Sequence, residues 1–106
     1  MLKIILICLI AVHGLLHFIG FIKAYKFSDI PQLVVHYSKS IGNLWFLAAV
    51  LFLVSSLFLF IDNEIWSYIV IIAVVLSQYL VGRAWKDAKF ASIANLLIVI
   101  LAIILV

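Results

Sequence analysis

Four stretches without Asp, Glu, Lys or Arg divide this chain. They hold 19 residues between Lys3 and Lys23, 22 between Lys39 and Asp62, 18 between Glu64 and Arg83, and 17 after Lys89. A helix that crosses a bilayer needs about 20 mainly apolar residues, with a working range of roughly 17 to 25. All four stretches qualify, the last at the lower limit. The pattern predicts spanning helices at approximately 2–22, 41–61, 65–83 and 89–106, in one domain covering 1–106. Asp62-Asn63-Glu64 is a tight connection, which makes the second and third helices antiparallel neighbours. The expected fold is all-α, an integral membrane four-helix bundle of antiparallel up-down type.

The first loop, from Lys23 to Ser40, is the only long one. Ser28-Asp29-Ile30-Pro31 reads as a helix start, with Pro31 in the first turn where its missing N–H costs nothing. Ile30, Leu33, Val34 and Tyr37 then follow a helical apolar spacing, while Gln32, His36 and Lys39 project elsewhere. The spacing predicts a short amphipathic helix on the membrane surface; a cap folded over the bundle end is the alternative. His36 reads as a solvated loop residue.

Composition changes the picture in one respect, the solvent. Of 106 residues, 70% are hydrophobic and 10% charged, with a mean hydropathy of +1.45. A water-soluble domain of this size has too much surface for its volume to hide that much apolar area. The first apolar stretch is long for a signal peptide, carries two histidines and lacks a small-x-small cleavage site before Lys23, so it is expected to be retained.

Charge then sets an orientation. Lys23, Lys26, Lys39, Arg83, Lys86 and Lys89 flank one side of the expected bundle, and Lys3 alone flanks the other. Cationic loops stay in the cytoplasm. The expectation is a multi-pass membrane protein with both termini periplasmic or extracellular. Its net charge of +3 reads as topology and not as nucleic-acid binding. The single cysteine, Cys8, allows no internal disulfide and reads as a buried small hydrophobe.

Candidate chemistry is sparse. His13 and His17 lie four apart, one turn above the other on one helix face. Gly20 continues that face and Gly14 adjoins it, so a neighbouring helix can approach closely. Ionisable residues inside a span face the bundle interior and need partners. Counted from the nearest cationic ends, His17 is six residues deep, Gln78 five and Asn95 six. At the helical rise this is roughly 8 to 9 Å for each. The expectation is a polar layer of His17, Gln78 and Asn95, with His13 one turn deeper and Asn43 near the mouth. Ser55 and Ser56 are expected to bond back to their own helix.

Such a layer has three readings. Interhelical packing alone comes first, at about 0.6 kcal/mol per bond. A pocket for a small ligand or a proton is second. A metal or haem site is third, because zinc wants further ligands and bis-histidine haem wants histidines on opposing helices. No catalytic residue is assigned. No Ser-His-Asp set, Gly-rich phosphate loop or cysteine cluster is present. No Asp or Glu lies within a span, which argues against a proton-coupled exporter.

The stretch His13-Gly14-Leu15-Leu16-His17-Phe18-Ile19-Gly20-Phe21, with Lys23-Ala24, resembles the first helix of small bacterial inner-membrane proteins of DoxX-like type. Trp85-Lys86-Asp87-Ala88-Lys89-Phe90-Ala91-Ser92-Ile93-Ala94-Asn95 resembles their second marked stretch, entering the last helix. Gly and Thr are more usual where this chain has Ala91 and Ser92. The resemblance implies a compact antiparallel four-helix bundle but no particular activity; a link to oxidoreductase or quinone partners is analogy. Three roles follow. One is a non-enzymatic accessory or assembly partner, with the lipid bilayer and another membrane protein or a second copy as partners and no cofactor. Another is a binder of a quinone-like or other small ligand at His13/His17. The last is a redox subunit carrying haem or metal.

Overall fold

The computed structural model describes residues 1–26 and 37–106. Among these residues every regular element is a helix: α1 (Leu2–Ala24), α2 (Lys39–Phe60), α3 (Trp66–Arg83), α4 (Trp85–Ala88) and α5 (Ala91–Leu105). The expected surface helix over Ile30, Leu33 and Val34 lies outside the described residues, as does His36.

Three of these helices, α1, α2 and α3, are long and apolar enough to cross a membrane. The fourth expected span is shorter than its charge-free stretch. The charge pattern predicts 89–106, but α5 has 15 residues and begins at Ala91. The chain leaves α3 at Ala84 with φ −113° and ψ 38°. It then makes the single turn α4 and tightens, so that Ser92 and Ile93 donate to the carbonyls three residues back, Lys89 and Phe90. That redirection consumes the residues that a straight helix would have used.

Local chemistry accounts for the other ends. Ser38 caps α2, its hydroxyl accepting from the Ile41 N–H at 3.2 Å. In the 62–64 turn, Asn63 Oδ1 accepts from the Ile65 N–H at 3.0 Å. Lys3 forms an ion pair with Asp62 across the same end.

Two apolar clusters hold the helices together. One joins Leu6 and Ile10 of α1, Phe52 and Leu59 of α2, Trp66, Val70 and Ala73 of α3, and Ile98 and Ala102 of α5. The other joins Ala24, Tyr37, Trp45, Ala48, Leu80, Val81 and Ala84. Early α1 thus packs on late α2, early α3 and late α5, so α1, α2, α3 and α5 alternate in direction. Glycines let α1 and α2 meet. A Cβ on Gly14 would lie 2.8 Å from Phe52 Cβ and 3.2 Å from the Ala49 carbonyl oxygen. On Gly20 it would enter the Trp45 indole.

Two serines do more than the sequence predicts. Ser55 Oγ donates to the Trp66 carbonyl of α3 at 2.9 Å, and Ser56 Oγ to the Ile7 carbonyl of α1 at 3.1 Å. Both hydroxyls bond across to a neighbouring helix and not along their own. Each backbone there approaches closely enough to be reached. Cys8 is another correction: it is exposed on α1 and not buried. Residues such as Ile4, Leu15, Leu57, Ile71, Val75, Leu96 and Ile103 also face outward. An apolar exterior on every long helix is the arrangement that a lipid solvent favours.

Candidate functional site

Between the two apolar clusters lies a buried polar network. His13, His17, Ser77 and Asn95 are all buried. His17 Nδ1 lies 2.7 Å from the His13 carbonyl oxygen. A carbonyl oxygen only accepts, so Nδ1 carries the proton and donates. In the neutral ring Nε2 is then the acceptor, and the Ser77 hydroxyl donates to it at 2.7 Å. Ser77 Oγ in turn accepts from Asn95 Nδ2 at 3.1 Å. The same amide group donates to Gln78 Oε1, also at 3.1 Å. Asn95 Oδ1 is left as an acceptor, and the His13 Nε2–H donates to it at 2.8 Å.

This differs from the level layer that equal depths predict. Asn95 meets His13, one turn further in than His17, and His17 meets Ser77. The reason is the redirected chain before α5. Asn95 is four residues into α5, or ~6 Å, whereas His13 is eleven residues from the end of α1, or ~16 Å. α5 therefore begins roughly 10 Å deeper than α1 ends.

The remaining candidates divide. Gln78 joins the network from its exposed side, donating through Nε2 to Ser92 Oγ at 3.0 Å. Asn43 stands apart: its Oδ1 accepts from the Tyr25 hydroxyl at 2.6 Å, and it is exposed. Ser77 is the residue that sequence reasoning left out. Its position one residue before Gln78 was the available signal, since adjacent helical residues face different directions.

The recess above the start of α5 forms a cleft of about 350 Å³. Its walls are His13, Leu16, His17, Ile19 and Gly20 of α1, Trp45 of α2, and Asp87, Ala88, Phe90, Ala91 and Ala94 around α4 and α5, with Tyr37 at one side. The Tyr37 hydroxyl donates to Asp87 Oδ2 at 3.1 Å. Burial, with the Asp87 carboxylate beside it, pushes the Tyr37 phenol well above its ordinary range, so it remains a donor. The Lys23 ammonium sits 5.6 Å from the centre of the Tyr37 ring. Trp45 stands in the cleft wall. It is 5% exposed, and its ring lies 5.1 Å from that of His17. Its Nε1 is the one buried side-chain polar atom among the described residues without a hydrogen-bond partner.

A larger groove, of about 570 Å³, runs between α3 and α5 at the opposite end. Apart from Ser67 and Tyr68 its lining is aliphatic. It offers few groups that would orient a ligand.

The donor set bears on metal and haem. Among the described residues no three of His, Cys, Asp and Glu come together as a metal-binding group. His13 and His17 share one helix with ring centres 4.6 Å apart, and both nitrogens of His17 are engaged. Within one chain they do not fit the two faces of a haem. Comparison with family models, curated proteins and solved structures finds no match to this chain.

Proposed function

We propose that this chain is a small integral membrane protein, a four-helix bundle that binds a small molecule from the bilayer in the His13/His17 cleft. The observation that carries this reading is the buried, unpartnered Trp45 Nε1 beside a cleft backed by a polar network. A buried donor without a partner costs about 1 to 3 kcal/mol, and a ligand oxygen would recover that. The cleft volume lies in the range usual for small-molecule sites, roughly 300 to 1,000 Å³. Most of its walls come from the two stretches that resemble DoxX-like proteins, 13–21 and 85–95, which are distant in sequence. Of the three roles drawn from the sequence, this supports the binder over the accessory partner and the redox subunit.

Native mass spectrometry from a mild detergent provides the test. Wild-type protein is expected to carry a small-molecule adduct that is absent from Ala91→Phe, whose larger side chain fills the cleft. Identical spectra for the two proteins would overturn the reading.

We also propose a bacterial inner-membrane location, as the resemblance to DoxX-like proteins implies, with the six-cation end in the cytoplasm on the strength of the lysine and arginine asymmetry. A reporter fused after Val106 is expected to register as periplasmic. In a Cys8→Ser background, a cysteine at position 86 is expected to resist impermeant reagents added from outside. A cytoplasmic signal from the fusion would refute this orientation.

A further inference from the structure

Two side chains that line the cleft carry unused hydrogen-bonding groups of opposite kind, one of which, Trp45 Nε1, is covered in this structure. Trp45 Nε1–H only donates. His13 is the other. Its Nε2 carries the proton given to Asn95 Oδ1, so in the neutral ring Nδ1 holds a lone pair. No hydrogen bond to that nitrogen is formed among the described residues. Both side chains line the cleft. The His17 ring lies between them, 4.6 Å from His13 and 5.1 Å from Trp45 centre to centre, with both of its own nitrogens occupied. The wall also carries the apolar Leu16, Ile19, Phe90 and Ala91, with Tyr37 and Asp87 at one side.

We infer that the ligand is a neutral, mainly apolar molecule carrying one hydroxyl and one separate carbonyl oxygen. The hydroxyl donates to His13 Nδ1, and the carbonyl accepts from Trp45 Nε1 after displacing the contacts that cover it. A carboxylate or phosphate headgroup is disfavoured at His13, because it brings no proton for the Nδ1 lone pair and would set its charge against it. This deepens the proposed function and rests on it.

Three bicyclic probes of similar size separate the two ideas. Tetralin offers neither group, 1-tetralone a carbonyl alone, and 6-hydroxy-1-tetralone both. Equilibrium dialysis against detergent-solubilised protein at pH 6 measures each, with Ala91→Phe as the blank for partition into detergent. Affinity is expected to rise in that order, by roughly tenfold or more from first to last, as two net hydrogen bonds provide. Trp45→Phe is expected to erase the step between tetralin and 1-tetralone. His13→Leu is expected to erase the step to 6-hydroxy-1-tetralone. Should His13→Leu fail to fold, the order on wild-type protein carries the test alone. Equal binding of all three above the blank overturns the inference and leaves the cleft a binding site. Binding of none above the blank overturns the proposed site, and the inference with it.

Discussion

Gly14→Leu is expected to insert normally yet lose the seam between α1 and α2. At Gly14 even a methyl group would sit 2.8 Å from Phe52 Cβ and 3.2 Å from the Ala49 carbonyl oxygen. The second neighbour is backbone inside a helix, so it cannot rotate aside. Accommodation requires the helices to separate, which breaks packing along their shared face. Overpacking a tight site costs about 1 to 3 kcal/mol and occasionally more; a leucine against backbone belongs at the upper end. Gly82 is the control, because a Cβ there meets nothing within 4 Å. Gly82→Ala is expected to be neutral, or to stabilise α3 by up to about 1 kcal/mol through helix propensity. Unfolding by a denaturing detergent measures both. Equal behaviour of the two glycines would show that close approach is not what holds α1 to α2.

The second large effect concerns Asn95, which has three partners in the network. Asn95→Leu leaves the His13 Nε2–H without its acceptor and takes a donor from both Ser77 and Gln78. An interhelical bond in a membrane averages only about 0.6 kcal/mol. Leaving a buried group unmatched costs more, about 1 to 3 kcal/mol. Asn95→Leu and His13→Leu are each expected to destabilise by about 2 kcal/mol through that orphaned partner. The double variant removes both ends of the bond and is expected to cost clearly less than the sum, with a coupling of about 1 kcal/mol or more. Additive losses in that cycle would mean that His13 and Asn95 do not act as a pair.

Much of this arrangement was legible because lipid makes sequence unusually explicit. Charge-free stretches of fixed length mark the helices, and α1, α2 and α3 begin and end within two residues of where their flanking charges place them. His13 and His17 were recognisable as inward-facing because Gly14 and Gly20 accompany them, and those glycines do meet α2. What the sequence hid depends on one helix relative to another. The turn at Ala84 contains neither proline nor glycine, so nothing announced that α5 would start deep. A charge count therefore set Asn95 level with His17 when it lies beside His13. Ser55 and Ser56 were misread for a related reason: whether a hydroxyl bonds to its own helix or a neighbour depends on the distance between two backbones. Trp45 carries no sign of a buried role in the sequence, because indoles also favour the membrane boundary. Its buried N–H becomes visible only when the groups around it are placed.

The recessed start of α5 also has a consequence for the surrounding lipid. Its 15 residues extend ~22 Å at the helical rise, against a hydrocarbon thickness of about 30 Å. In the proposed membrane setting, that side of the bundle is hydrophobically mismatched. A short apolar segment is accommodated by thinning the bilayer or by letting flanking polar residues reach its surface. Exposed Gln78 and half-buried Ser92, bonded to each other beside α5, lie where headgroups and water would descend. The bilayer beside α3 and α5 is thus expected to be pinched on the cationic face. The protein would then sort toward thinner membranes and present its cleft at the depth where that pinch brings the interface.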